Sequence, residues 1–278
     1  MFKLVQEPII DFPQFDKRKL YDAMGNELTS HRGITNTETG EVVSVMSNRY
    51  SIINHEEAFG IMDKAATNLC SEAKAKYEFG TDGKTMKLTW DLPQSYNVDV
   101  GEGDSLRTRL VGLNSVDGSR SLSFHIDFER LVCANGMVGF TREFSFARKH
   151  SKHIKSDIGA FDLEKQVEYA WCTVKDRAGD LKNNSVDYAQ GMAVIKEVVD
   201  RKLFPKKLEK WISEEWRRAS HGFYEQAQEN GANLWTLYNA FTSAITHEID
   251  KNGNTLTDGQ KELYGKRVNN LFGQLLAA

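Results

Sequence analysis

The densest run of groups able to bind a ligand is REFSFARKHSKHIK, residues 142–155. Arg142, Arg148, Lys149, Lys152 and Lys155 stand against one acid, Glu143, with His150 and His153 among them and Phe144 and Phe146 interleaved. Clustered cations attract phosphates, and aromatic rings give bases a surface to stack on. The same run also suits a solvated connection between a strand and a helix, with both phenylalanines turned into the core. Arg107, Arg109, Arg120 and Arg130 fall on the neighbouring hairpin and extend the basic strip. The expected nucleic-acid contacts are therefore Arg107, Arg109, Arg142, Arg148, Lys149, His150, Lys152 and Lys155.

Other candidates carry less. Arg201, Lys202, Lys206, Lys207, Lys210, Arg217 and Arg218 form a second basic cluster, diluted by Glu209, Glu214 and Glu215. Trp211 and Trp216 sit inside it, as on an amphipathic helix with its rings packed inward. His150 and His153 lack the carboxylate or cysteine partners of a metal site. DKNGNTLTDGQK, from Asp250, resembles a calcium loop, but its first glycine comes too early and Lys261 stands where a bidentate glutamate belongs. Asp127 and Glu129 share one strand face, as the metal carboxylates of a nuclease would, yet a cross-strand ion pair with Arg107 explains Asp127 as well. Cys133 has no recognisable His and Asn partners and suits a small buried residue. Phosphate-binding loops, dinucleotide fingerprints and nucleophile elbows are absent from the sequence, so no cofactor, metal or catalytic residue is expected.

The elements that hold these residues follow from periodicity. Leu122, Phe124, Ile126 and Phe128 alternate with Ser123, His125, Asp127 and Glu129, the period of a half-buried strand. A three-residue loop, Val116-Asp117-Gly118, would give Gly118 the left-handed position and set Arg109 opposite His125 and Arg107 opposite Asp127 on the outer face. The competing two-residue loop would bury both guanidiniums unpaired, at a cost of several kcal/mol. The alternation breaks at Arg130-Leu131, where a bulge or strand end is expected, and another short strand should cover 138–146. Upstream, an Asp82-Gly83 turn pairs Phe79 with Met86, Tyr77 with Leu88 and Ala75 with Trp90. Asn54 suits the N-cap of a helix whose stripe is Ala58, Ile61, Met62, Ala65 and Leu69. Beyond Asp162 the period turns helical, over 162–178, 186–202, 206–229, 233–249 and 257–275, the last opened by a Thr257–Gln260 capping box.

The expected fold is α+β: an antiparallel sheet of hairpins with one packed helix, then a helical region. Three parts are expected: an extended arm with a short hairpin over 1–40, the sheet and helix over 41–160, and helices over 161–278. Thr39-Gly40 should form a tight turn within the first stretch. A net charge of -3 over 278 residues gives no global basic field, so any polyanion must be met by a local patch. Cys70, Cys133 and Cys172 show no paired spacing and suit reduced thiols. No apolar run approaches the roughly 20 residues of a membrane span, and the N-terminus lacks a signal core. A cytoplasmic protein without membrane contact is expected.

LNSVDGSRSLSFHIDFERLVCANGM, the basic ARKHSKHIK after it, and NLWTLYNAFTSAITH at 233–247 together resemble the phage- and plasmid-borne DUF932 family over roughly residues 40–250. That resemblance implies a mobile-element origin and a bacterial cytoplasm, and it carries no established activity. The order of hairpins then helices is also loosely similar to ring-forming single-strand annealing proteins, a fold-level analogy. The expectation is a non-enzymatic, homo-oligomeric protein that binds single-stranded DNA and anneals it. The alternatives are an interaction protein engaging a host or phage partner, with Trp211, Trp216, Trp235 and the N-terminal arm as its surface, and a metal-dependent nuclease using Asp127 and Glu129.

Overall fold

A computed structural model describes residues 11–80, 82–101, 104–130, 135–137, 145–150, 162–220, 232–247 and 256–277. The fold is α+β, with two sheets and a helical C-terminal half. Strands β1 (Phe15–Tyr21), β2 (Glu27–Asn36) and β3 (Val42–Ser47) form a three-stranded antiparallel sheet. After α1 (His55–Leu69) come β4 (Ala75–Phe79), β5 (Thr85–Asp91), β6 (Val98–Asp99), β7 (Ser105–Ser115), β8 (Leu122–Arg130), β9 (Asn135–Met137) and β10 (Ser145–Arg148). These make a seven-stranded sheet of order β10-β8-β7-β5-β4, with β6 paired to β7 and β9 to β8. The helices are α2 (Leu163–Asn183), α3 (Tyr188–Asp200), α4 (Lys206–Ser220), α5 (Leu234–His247) and α6 (Asp258–Ala277).

Much of the local pattern is realised. β4 and β5 pair Ala75 with Trp90, Tyr77 with Leu88 and Phe79 with Met86, as expected. The turn itself starts earlier, with Gly83 N–H donating to the Gly80 carbonyl and Gly83 in the left-handed region. A loop lengthened at both ends leaves the register unchanged, so the apolar pairs survive. Asn54 stands at the N-cap of α1 but spends its amide elsewhere, accepting from Phe15 N–H and donating to the Phe15 carbonyl. The buried stripe of α1 is His55, Ala58, Met62 and Ala66, rotated slightly from the expected one. Thr257 and Gln260 do form the reciprocal capping box before α6. The strand expected over 138–146 and the C-terminal part of the 206–229 helix fall largely outside the described residues.

One expectation is corrected. β7 ends at Ser115 and β8 begins at Leu122, so the connection is longer than three residues. Gly118 is left-handed as required, but Arg107 meets Glu129 rather than Asp127. The faces themselves are as expected, since alternation along each strand is kept. Leu106, Thr108, Leu110, Leu122, Phe124, Ile126 and Phe128 are accordingly buried, with Arg107, Arg109, Asp127 and Glu129 half-buried on the other side.

Two compact units divide the chain: Met1–Trp90 with Val111–Phe124 and Phe146–Phe161, and Asp91–Leu110 with His125–Ser145 and Asp162–Ala278. In the first unit Trp90 packs edge-on against Phe124 and donates its indole N–H to Asp63, and Phe15, Ile34 and Val116 form a small cluster under the three-stranded sheet. In the second, α5 is buried over most of its length, with Thr236 and Thr246 half-buried, the pattern of a central helix. α2, α4 and α6 pack against it. Asn233 caps it by accepting from Thr236 N–H, Trp235 donates to the buried Asp104, and Tyr238 donates to Asn269.

Candidate nucleic-acid interface

In the second unit the outer face of β7 carries Arg107 and Arg109, because alternation that buries Leu106 and Thr108 must turn their neighbours outward. β8 does the same for His125, Asp127 and Glu129. Nη1 of Arg107 lies 3.6 Å and Nη1 of Arg109 3.5 Å from one and the same atom, Oε2 of Glu129. Both separations exceed the roughly 2.7–2.9 Å of a charge-assisted hydrogen bond. Each guanidinium carries five N–H donors in a planar fork, so one shared oxygen leaves most of them for other acceptors. Nε of Arg109 is buried with no hydrogen-bond partner, and so is Oδ1 of Asp127. Among the described residues Asp127 makes no ion pair with either arginine.

Of the remaining expected contacts, two have described side chains, Lys149 and His150. Lys149 is exposed and belongs to the first unit. Arg148 closes β10, and its side chain, like Arg142, His153, Lys152 and Lys155, lies outside the described residues. His150 is corrected: it is buried, 7% exposed, and offers no surface contact. Its ring stacks on Tyr50, and its Nδ1 lies 2.7 Å from the Tyr50 hydroxyl, which is 3.2 Å from the Val116 carbonyl. A proton on Nδ1 satisfies this arrangement, with the ring donating to Tyr50 and Tyr50 donating to Val116. The opposite tautomer would strand an N–H at Nε2, which has no partner. Burial, then the neighbouring His55, push the His150 imidazole down to about 4. Burial likewise lowers His55, whose Nε2–H donates to the Gly83 carbonyl while Nδ1 accepts from Asn114.

Sequence reasoning missed this Tyr50–His150 and His55–Asn114 network. Its only trace was the Asn114-Ser115…Asp117-Gly118-Ser119 wording, which builds the corner after β7. Ser115 Oγ exchanges hydrogen bonds with the backbone of Arg120, and Asp117 accepts from Ser119 N–H. The inward packing expected of the α4 tryptophans holds for Trp216, and the alternative that made Trp216 and Trp235 an interaction surface is corrected. Trp216 and Trp235 are buried, Trp216 with its indole donating to the Tyr188 carbonyl; Trp211 is half-buried. Among the described residues no cluster of three or more His, Cys, Asp or Glu is arranged to hold a metal. Cys133, His153 and the loop from Asp250 lie outside those residues. No described helix is long and apolar enough to cross a membrane.

The family model for a domain of unknown function, DUF932, matches residues 42–266. No curated protein and no solved structure matches the chain.

Proposed function

Because the chain belongs to the DUF932 family, whose description names no activity, the proposal must rest on chemistry alone, and we propose that it binds single-stranded DNA without catalysing a reaction, and anneals it as an oligomer. One observation carries this: two guanidiniums on one sheet face share a single carboxylate oxygen, leaving donors and positive charge for a phosphate backbone. Annealing asks for little more, since holding backbones leaves base edges free to pair. Lys149, from the basic run 142–155, is exposed on the first unit and is a further cation that a polyanion could meet. The setting is a bacterial cytoplasm. Fluorescence anisotropy with a labelled oligonucleotide at two salt concentrations tests the idea. Binding should weaken steeply with salt, and Arg107→Gln with Arg109→Gln should lower affinity about tenfold or more and flatten the salt slope. Absence of binding at low salt, or indifference to salt, rules it out.

A second reading has its own support. Tyr21, Leu28, Val42 and Val45 are exposed on the three-stranded sheet and Met24 in its first turn, and large exposed apolar side chains suit a protein contact. A stoichiometric protein recovered from host lysate, free of nucleic acid, would favour a partner engaged during infection. Nuclease chemistry at Asp127 and Glu129 fares worse, because two guanidiniums beside Glu129 make the face attractive to anions and hostile to a divalent cation.

A further inference from the structure

Resting on the DNA-binding reading, we infer that Glu129 is a resident stand-in for phosphate, which a nucleic-acid phosphate must displace from Arg107 and Arg109. Glu129 is the most enclosed of the three, with 19% of its side chain exposed against 25% for Arg109 and 43% for Arg107. It sits inside the pair, and the arginines open outward. Only Oε2 serves both guanidiniums, and at distances too long for strong hydrogen bonds. Such a contact offsets the repulsion between two like charges on one strand while leaving both forks underused. A phosphate brings several oxygens in a tetrahedron, and so can take Nη–H donors from each fork. Asp127, on the same face with one oxygen unpartnered, stays in place and limits how far a strand can settle toward β8.

The same carboxylate would thus set the affinity. In the empty protein it holds the arginines in position; toward a polyanion it competes. The intact protein is titrated with a labelled oligothymidine at several salt concentrations, alongside Glu129→Gln and Glu78→Gln. Glu78 is exposed on β4, which pairs with neither β7 nor β8, so its variant changes net charge equally on another strand. Glu129→Gln should bind about fivefold to tenfold tighter, with a salt slope steeper by about 0.7, and Glu78→Gln should match the wild type. Equal affinities for the Glu129 variant and the wild type overturn the inference and leave the DNA-binding reading standing. No binding by any of the three removes both. Should Glu129→Gln fail to fold, Glu129→Asp retracts the carboxylate from the arginines and should also tighten binding; unchanged affinity there overturns the inference equally.

Discussion

Protonating His150 means placing a charge where the ring has stacking on one side and a bare, buried Nε2 on the other. The unfolded imidazole titrates at its ordinary 6.5 and the folded one at about 4. Between those values the unfolded chain takes up a proton that the folded chain refuses. Stability from this group is therefore complete above pH 6.5 and is lost as the pH falls toward 4, by on the order of 3 kcal/mol. Urea midpoints measured across that window should drop for the wild type and drop less for His150→Gln. A shallower slope should persist in the variant, because burial lowers the His55 imidazole too. Identical slopes for both proteins would contradict the buried placement of His150. The same residue marks a limit of reading sequence by type. Within a basic run it looks like another cation, yet it turns inward, because Tyr50 and Val116 offer it a hydrogen-bonding seat.

Among the elements, the α3–α4 contact is decided by a missing side chain. Gly191 lies so close to the Trp216 indole that a Cβ there would overlap the ring, which is fully buried and fixed by its bond to the Tyr188 carbonyl. Gly191→Ala should lower stability by roughly 1–3 kcal/mol through overpacking. Gly179 in α2 has nothing within 4 Å of its would-be Cβ, so Gly179→Ala should raise stability by about 0.5–1 kcal/mol, as expected where helix propensity alone acts. Denaturant titrations of the two variants give opposite signs if the helices pack as described. The residues that carry the family likeness are used in the same structural way. Asn114, Ser115 and Asp117 build the corner after β7, and Asn233, Trp235 and Tyr238 cap and anchor α5. At these positions the residues that carry the likeness serve the fold.

For the whole molecule, a single-strand-binding protein that anneals as an oligomer should purify as a particle several times heavier than its 31.5 kDa chain, with an absorbance ratio showing bound nucleic acid. A clean monomer in a mass measurement would contradict the annealing assembly. Alternation and helical period, read from the sequence by itself, determined the α+β class, the apolar pairing of β4 with β5, the outward turn of Arg107 and Arg109, and the Thr257 cap. Each of these depends on side chains a few residues apart and on the rule that apolar faces leave water, so local pattern suffices. Tertiary structure alone decided that Arg107 and Arg109 meet on one oxygen of Glu129, that His150 turns inward onto Tyr50, and that Trp235 is core. Those outcomes turn on the length of one loop and on contacts between residues far apart in the chain, and no periodicity encodes either.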